Sequence, residues 1–224
     1  MEIEKTKYDG IYYIKLNNKR LLATNNLTPS KNFFNERLFK IKNEEYREFD
    51  PSRSKLAAGI AKNISFLPIR QNQKILYLGA SHGYTSSYIS DLIGKNGIVF
   101  CLDFAHRVVR DLVLVCEERQ NMIPILADAN KPESYKNRIT NVDLIYQDVA
   151  QRNQVEILFK NLIFLKDKGF SIIAIKSKSI DSTKRSEKIF VEVEEELKKK
   201  LKIIDKRRLD PFERDHMLFI CQKK

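Results

Sequence analysis

The sequence KILYLGASHGYTSSYISDLIGKNGIVFCLD, from Lys74 to Asp103, decides the fold class of this 224-residue chain. It begins with a short apolar run that stops at Gly79, and a second glycine, Gly83, follows in G-x-x-x-G spacing. The stretch Thr85 to Ile93 has the length and composition of a helix, and a second apolar run ends at Asp103. This order of strand, turn, helix and strand predicts a parallel sheet with a ligand site at its carboxyl edge.

The glycine turn and the acid at the end of the second strand favour a nucleoside ligand. A carboxylate placed roughly 20 residues after the turn can accept hydrogen bonds from ribose hydroxyls. The G-x-G-x-x-G pattern, which seats the pyrophosphate of a dinucleotide, is absent from the sequence. A wider turn suits a cofactor without phosphate, such as S-adenosylmethionine, and disfavours an NAD-dependent oxidoreductase. The alternative interpretation is that both glycines are only turn residues of an α/β protein.

The charge balance favours a polyanionic partner. The chain has 41 lysines and arginines against 29 acidic residues, which gives a net charge of +12. RNA is the usual partner of such a protein, although a basic surface that binds nothing in particular is the alternative. We therefore predict RNA binding from composition and look for chemistry that would act on RNA.

The cysteines and the apolar runs of the sequence indicate the cellular compartment of the protein. Cys101, Cys116 and Cys221 lie in apolar runs without C-x-x-C spacing, so we expect core packing rather than a metal site or a disulfide. No apolar run approaches the roughly 20 residues of a membrane span. The N-terminal residues lack the apolar core of a signal peptide. We predict a cytoplasmic protein that has no membrane partner and no metal.

The chain is expected to have two parts. Residues 1–50 contain short β-like runs separated by asparagine-rich turns, which predict a small antiparallel element. Residues 51–224 alternate strands and helices, which predicts a mostly parallel sheet covered on both faces and ending in an antiparallel hairpin around Asp210-Pro211. The predicted helices are Lys55–Asn63, Thr85–Ile93, His106–Arg119, Gln154–Leu165 and Lys184–Lys200, and the later strands are Ile98–Leu102, Ile123–Ala127, Val142–Gln147, Phe170–Ile175, Leu201–Asp205 and Met217–Cys221.

Polar or turn residues follow five of the predicted strands. In open α/β sheets the carboxyl ends of parallel strands meet at one edge, where ligands bind. A shared site is therefore the favoured interpretation, although a single acid at a strand end often only caps a helix. We expect Asp103 to hold the ribose and Asp128-Ala129 to receive the adenine, with a second substrate farther along the edge. The five residues at the strand ends are Gly79, Asp103, Asp128, Asp148 and Lys176.

Methyl transfer from a sulfonium requires a group that removes the proton of the acceptor. The sequence offers three such groups, namely Asp148, Lys176 and the imidazole of His216, which begins the last strand. A lysine beside a carboxylate is usually an ion pair, but in a partly desolvated cleft it can lose its proton and act as a base. A single histidine is more often a structural hydrogen-bonding residue. The sequence leaves the choice among the three open.

The chain resembles the fibrillarin family, the 2′-O-methyltransferases of box C/D ribonucleoproteins. The resemblance covers nearly the whole chain, and its segments occur in the order found in the family. The absence of a glycine- and arginine-rich N-terminal tail makes it more similar to the archaeal form. The segments are YREFDPSRSKLAAGI from Tyr46, ILYLGASHGYT, ERQNMIPILADANKPESY, VDLIYQDVAQ, IKSKSID and DPFERDHMLF.

The resemblance implies a fold, a function and a set of site residues. The fold is the Rossmann-like class I methyltransferase fold with a seven-stranded sheet, and the cofactor is S-adenosylmethionine. Catalysis is implied for Lys55, Asp148, Lys176 and His216. The implied cofactor-binding residues are Tyr77, Gly79, Ala80, Tyr84, Thr85, Asp103, Phe104, Asp128, Ala129 and the segment Asp148, Val149, Ala150 and Gln151.

The resemblance also implies partners. These are a box C/D guide RNA, substrate rRNA and tRNA, a Nop-family scaffold protein and a kink-turn-binding protein of ribosomal type. Three positions depart from the family pattern: Tyr84 replaces a threonine, Asp103 replaces a glutamate, and Ala127 replaces a glycine. The change at Tyr84 keeps an alternative open, namely a subunit that binds RNA and partners without catalysing methyl transfer.

Overall fold

The N-terminal part of the chain is a five-stranded antiparallel sheet. The structure, a computed structural model, describes residues 2–17 and 19–224. Buried apolar residues of this sheet, among them Ile11, Ile14, Leu22 and Ala23, place part of it against the core. The predicted N-terminal β-rich element is therefore confirmed. Its strands are β1 (Glu2–Lys5), β2 (Ile11–Leu16), β3 (Lys19–Asn25), β4 (Leu38–Ile41) and β5 (Glu44–Glu48), in the order β1-β2-β3-β5-β4.

The second sheet has seven strands and carries the predicted alternation of strands and helices. Five neighbouring strands are parallel, and the last strand runs antiparallel to both of its neighbours. The predicted fold class is therefore confirmed. The strands are β6 (Lys74–Leu78), β7 (Ile98–Asp103), β8 (Met122–Leu126), β9 (Val142–Gln147), β10 (Leu165–Lys176), β11 (Leu201–Arg208) and β12 (His216–Lys223), in the order β11-β12-β10-β9-β6-β7-β8.

Helices cover both faces of this sheet. Buried residues of the first three helices join the core on one face, and those of the fourth and sixth join the core on the other. Three short 3₁₀ turns span Pro132–Ser134, Lys136–Arg138 and Leu162–Phe164. The helices are α1 (Lys55–Ala61), α2 (Tyr84–Ile93), α3 (His106–Glu118), α4 (Gln154–Asn161), α5 (Ser177–Ile180) and α6 (Ser186–Lys198).

The largest differences from the predicted boundaries lie around β10. The helix predicted to reach Leu165 ends at Asn161 and continues as a 3₁₀ turn. The apolar side chains of that turn keep a helix-like spacing, so the sequence pattern did not reveal its end. Strand β10 begins at Leu165, five residues earlier than predicted, and its pairing with β9 is irregular between Leu165 and Phe170. A local irregularity interrupts the alternation that a strand prediction depends on.

One continuous core joins the two sheets across the predicted boundary at residue 50. Leu22 and Phe49, from the N-terminal part, belong to the same cluster of buried residues as Tyr88 of α2. Two buried polar contacts cross the boundary: Arg47 of β5 lies 3.6 Å from the carboxylate of Asp91, and Arg119 donates to the side-chain oxygen of Asn26 at 3.2 Å. Because both parts share this core, it does not separate them into two units. The division into residues 1–50 and 51–224 therefore stays a prediction.

Two further observations bear on the predicted class of protein. All three cysteines are free and buried, as their apolar surroundings predicted. Within residues 2–17 and 19–224, no helix combines the length and the apolar character that crossing a membrane requires.

Candidate active site

The turn after β6 brings the backbone of the chain close to a neighbouring strand end. Gly79 has a φ of +83°, and a Cβ atom at this position would lie 2.3 Å from the carbonyl oxygen of Asp148. Only glycine fits without moving that backbone. Gly83, with a φ of +95°, is the N-cap residue directly before α2. The turn therefore forms a concave backbone surface directly beside the segment that follows β9.

Asp103 is held rigidly at the end of β7. One carboxylate oxygen accepts the backbone N–H of Ser81 at 2.9 Å, and the other accepts the N–H of Ala105 at 3.0 Å. A carboxylate oxygen can accept a second hydrogen bond, so both oxygens can still receive ribose hydroxyls. The buried side chain thus joins the glycine turn to the loop after β7 while keeping acceptor capacity toward the site.

A cleft of about 260 Å³ opens at this edge of the sheet. Eight of its lining residues are ones that the sequence analysis named as cofactor-binding. The sequence did not indicate Ser81, Leu102 and Ala127, which also line it. The eight are Gly79, Asp103, Phe104, Ala129, Asp148, Val149, Ala150 and Gln151. Phe104 is 64% exposed, so its ring offers a free aromatic face beside Asp103.

Asp128 lies in an adjoining pocket that shares Phe104 and Gln151 with the cleft. Its carboxylate accepts the N–H and the side-chain amide of Asn130. The same amide donates to Gln151 at 2.8 Å, and Asn153 donates to the side-chain oxygen of Asn130. Asn130 therefore ties Asp128 to the far wall of the cleft. Sequence reasoning missed Asn130, and its position two residues after an acid at a strand end is the available signal.

Besides Asp128, four residues predicted to bind the cofactor lie outside the lining of the cleft: Tyr77, Ala80, Tyr84 and Thr85. The Tyr77 ring is buried against Tyr146, with ring centroids 4.6 Å apart. Thr85 donates its hydroxyl to Ser54 at 3.0 Å. Any contact of these side chains with a cofactor stays a prediction.

Tyr84 points its ring toward the N-terminal part of the chain. The ring packs edge-on against Phe34 and Tyr88, and the guanidinium of Arg53 lies 4.3 Å from its centroid. Arg53 also donates to the carbonyl oxygen of Phe34. The departure from the family pattern at this position is therefore used for packing between the N-terminal part and α2, and the ring leaves the cleft open.

The cleft borders an ion pair between Lys55 and Asp148, whose charged atoms are 2.9 Å apart. Lys55 is the first residue of α1, and Ser54 caps that helix by accepting the N–H of Ala57. The two side chains are 20% and 23% exposed, so the pair is only partly screened by water. Because Asp148 also lines the cleft, the pair forms part of its wall.

Lys176 and His216 complete the group of four residues predicted to be catalytic, together with Lys55 and Asp148, and we call this group the catalytic cluster. Lys176 ends β10 directly opposite His216, the first residue of β12. Alternation along the strands puts both side chains on the face that carries Ala174 and Leu218. Helix α1 packs on that face, and Asp148 lies two residues beyond Tyr146, which belongs to the same core. The four predicted catalytic residues therefore share one face at the carboxyl edge.

Lys55 and His216, two members of the cluster, have pKa values shifted in opposite directions. Burial lowers the pKa of Lys55, but the carboxylate of Asp148 raises it more, so the net pKa is above the usual value and the ammonium stays charged. Burial lowers the pKa of His216, and the positive charge of Lys55 lowers it further. The carbonyl oxygen of Arg214, which raises this pKa, offsets only part of that effect. His216 is therefore a neutral imidazole at pH 7.

The hydrogen bonding of His216 fixes which nitrogen is free. Its Nδ1 atom lies 2.7 Å from the carbonyl oxygen of Arg214. A carbonyl oxygen can only accept, so Nδ1 carries the hydrogen and Nε2 of the neutral ring carries a lone pair. His216 thus has the protonation state of a base.

Lys176 differs from the expectation of a desolvated lysine paired with Asp148. Its side chain is exposed, and the described ion pair of Asp148 is with Lys55. Strand-end reasoning placed Lys176 correctly at the edge but could not foresee that α1 brings Lys55 closer. The side chain of Lys176 is therefore in contact with water at this edge of the sheet.

The sequence profile described as fibrillarin matches residues 3–224. The chain belongs to the fibrillarin family. The fibrillarin-like rRNA/tRNA 2′-O-methyltransferase of Thermococcus onnurineus is 44% identical over 225 residues, and the alignment covers all of both chains.

Solved fibrillarin structures have the same fold. The Methanococcus jannaschii fibrillarin pre-rRNA processing protein superposes with a TM-score of 0.94 at 44% identity, covering 100% of this chain and 98% of the other. The Aeropyrum pernix fibrillarin, solved with natively bound S-adenosyl-L-methionine, gives 0.92 at 39% identity and covers 99% and 98%. A fibrillarin in complex with Nop5p gives 0.84 at 38% identity and covers 91% and 94%.

Proposed function

We propose that this fibrillarin is the catalytic subunit of a box C/D ribonucleoprotein and transfers a methyl group from S-adenosylmethionine to RNA ribose 2′-hydroxyls. The proposal rests on the position of Asp148, which belongs to both the cleft and the catalytic cluster. It lines the cleft beside Gly79 and also binds Lys55 of the catalytic cluster. A cofactor in the cleft and an acceptor at the cluster would therefore meet at one residue.

The described residues fit the cofactor. Gly79 lets the turn approach the backbone of Asp148, so that both line the cleft, and Asp103 keeps free acceptor capacity for ribose hydroxyls. Phe104 offers an exposed ring for the adenine, and Asp128 supplies an acceptor for its amino group. When bound, S-adenosylmethionine supplies a methyl group on a positively charged sulfur, which leaves as a neutral thioether.

The cluster removes the proton of the acceptor. A ribose oxygen that attacks the methyl carbon must lose its hydrogen, and Nε2 of His216 is the group with a free lone pair at neutral pH. Lys55 and Asp148 form a charged wall that fixes the orientation of the acceptor. Lys176, exposed beside His216, supplies a positive charge that favours the developing oxyanion.

RNA approaches across a basic rim. An exposed basic residue lies two positions from each of three cluster residues: Arg53 near Lys55, Lys178 near Lys176, and Arg214 near His216. Such residues bind the phosphate backbone and give affinity without reading sequence. The target is therefore chosen by a guide RNA, with a Nop-family scaffold and a kink-turn-binding protein completing the particle. We propose rRNA and tRNA as substrates and a cytoplasmic location.

The alternative, a subunit that binds RNA without catalysis, rests on the replacement of a threonine by Tyr84. The Tyr84 ring packs on Phe34 and Tyr88 and leaves the cleft open to a cofactor, which favours the catalytic subunit. Isothermal titration with S-adenosylmethionine separates the two: we expect saturable binding to the isolated chain. A fold-intact chain that does not bind the cofactor would favour the non-catalytic subunit.

The test of the proposed function is tritium transfer from labelled S-adenosylmethionine to a guide-matched RNA, followed by nucleoside analysis. We expect a 2′-O-methylated nucleoside when guide RNA and both partner proteins are present, and little product when the guide is omitted. Label on a base, or efficient methylation of one defined ribose by the chain alone, would contradict the proposal.

A further inference from the structure

On the side that faces β9, the end of strand β10 is held by a side chain instead of a strand. The parallel pairing of β9 with β10 ends at Gln147 and Ile173. Beyond that point the chain leaves β9 to form the cleft wall at Asp148, so it cannot continue to pair with β10. Lys176, three residues after Ile173, would therefore have unpaired backbone groups on that side.

Gln154 supplies those missing hydrogen bonds. Its side-chain oxygen accepts the N–H of Lys176 at 3.0 Å, and its side-chain nitrogen donates to the carbonyl oxygen of Lys176 at 3.1 Å. The carboxamide thus pairs with both backbone groups of one residue, as a residue in an adjacent strand would. Gln154 is fully buried at the first position of α4.

The amide group of Gln147 braces Gln154 in turn. Its side-chain nitrogen donates to the backbone carbonyl oxygen of Gln154 at 2.7 Å, and Gln147 is itself fully buried. Since Gln147 pairs with Leu78 of β6 and Ile173 of β10, the brace is anchored in the centre of the sheet. Gln147 and Gln154 therefore fix the position of Lys176 relative to the strands that form the cofactor cleft.

The hydrogen bonds to Gln154 also determine how Lys176 faces His216. Both backbone groups of Lys176 point toward Gln154, and the carbonyl oxygen of His216 points away from β10 to accept the N–H of Leu209. Lys176 and His216 are therefore a non-hydrogen-bonded antiparallel pair. Such pairs have the closer Cα atoms, about 4.5 Å apart, and their side chains lie close together.

We infer that Gln154 is a positioning residue for methyl transfer, acting by holding Lys176 against His216 at the point where β9 can no longer support it. The inference rests on the proposed function, in which Lys176 and His216 act on the ribose oxygen. Gln154 touches neither the cleft nor the acceptor, so its loss affects the alignment of the cluster and leaves the cofactor site intact.

The test compares Gln154→Met, which keeps the length of the side chain but loses both hydrogen bonds, with Gln154→Glu. The control is Gln222→Met, since Gln222 donates to the carbonyl of Lys168 at the opposite end of the same sheet. In the assembled particle, we expect Gln154→Met to slow single-turnover transfer about 10- to 100-fold by misplacing a reacting group. The dissociation constant of S-adenosylmethionine and the rate of Gln222→Met should stay near wild type.

Gln154→Glu adds a readout that a purely structural role would not change. A carboxylate repels the Lys176 carbonyl, whereas the protonated acid restores the donor. The ratio of its transfer rate to that of wild type should therefore rise as the pH falls. If Gln154→Met does not fold, the pH dependence of Gln154→Glu still tests the inference.

Amide hydrogen exchange at Lys176, measured by NMR on the full chain without RNA, separates this inference from the proposed function. Exchange should be faster in Gln154→Met by about 5-fold or more, because one hydrogen bond of about 1 kcal/mol is lost. A wild-type particle without methyl transfer would overturn the proposed function alone. Normal transfer rates in both folded Gln154 variants, or unchanged exchange at Lys176, would overturn the positioning role.

Discussion

The cofactor cleft and the catalytic cluster lie side by side but are built in different ways. The cleft comes from successive strand ends of the parallel sheet, and backbone groups of the Gly79 turn and the Asp103 loop shape much of it. The cluster is assembled from side chains of four separate segments, which begin at α1 and end at β12. We therefore expect cofactor binding to depend on the local shape of the backbone, and the reaction to depend on packing between segments that are distant in the sequence.

Asp148 is where the two regions join. It lines the cleft, its carbonyl oxygen faces Gly79, and its carboxylate binds Lys55. Changes within the cluster should therefore lower turnover while leaving cofactor affinity nearly constant. Changes within the cleft should lower cofactor affinity first.

The largest effect is expected at His216, the proposed base. Replacement by glutamine, His216→Gln, should lower the single-turnover rate about 100- to 10,000-fold, because the group that accepts the proton is lost. Cofactor affinity, measured by calorimetry, should change little. The wild-type rate should fall with decreasing pH only below the pKa of His216, which burial lowers from its usual value, since a protonated imidazole cannot accept a proton.

The control for His216 is His82→Gln, which changes an exposed histidine in the turn and should keep the wild-type pH profile. If His216→Gln retained the wild-type rate and pH dependence, the proton would have to leave through Asp148, Lys176 or water.

In the cleft, Asp103→Ala should weaken S-adenosylmethionine binding by about 1.5–3 kcal/mol, or about 10- to 100-fold in dissociation constant, because a charged acceptor is removed. Asp128→Ala should weaken binding less, since Asp128 lies in the adjoining pocket. Calorimetry on folded variants measures both. Equal affinity for wild type and the two variants would remove the cofactor assignment from this edge of the sheet.

Two glycines of the same turn offer a matched comparison of stability. In Gly79→Ala the new methyl group meets the backbone of Asp148, whereas in Gly83→Ala it meets the Leu112 side chain at 2.9 Å, which can move. Both positions have positive φ. Gly79→Ala should therefore lose about 1–3 kcal/mol more of the free energy of unfolding than Gly83→Ala. Urea denaturation followed by circular dichroism measures the difference, and equal losses would argue against the close approach at Asp148.

The smallest effect is expected at Ser54, which caps α1 and accepts the hydroxyl of Thr85. Ser54→Ala should lower the free energy of unfolding by about 1 kcal/mol through loss of the helix cap. Ser54→Thr keeps the oxygen and should recover most of that loss. Thermal denaturation of the two variants checks this, and equal stabilities of Ser54→Ala and wild type would show that the cap contributes little.

The sequence predicted the cleft well because its signals are local. Gly79, Asp103 and Asp148 each follow an apolar run, and parallel strands must end at the same edge. The same reasoning placed Lys176 at that edge. It could not place Lys55, because the first residue of a helix has no fixed relation to strand ends, and only the resemblance to fibrillarin indicated it.

The parts that escaped prediction are buried polar contacts between distant segments. Gln154 and Gln147 carry no pattern that distinguishes them from surface glutamines, although both are fully buried. Arg47 and Arg119 would be expected at the surface, yet each is buried with a carboxylate partner. Their positions follow from tertiary packing, which periodicity along the chain does not encode.

The measurement that tests the division between cleft and cluster most directly is methyl transfer by Lys55→Met in the assembled particle, alongside cofactor titration of the isolated variant. The control is Lys62→Met, at the exposed opposite end of α1. We predict a transfer rate about 100-fold or more below wild type, because a preorganised charge is lost, with cofactor affinity close to that of wild type. A transfer rate close to that of Lys62→Met, or a loss of rate matched by an equal loss of cofactor affinity, would contradict this division.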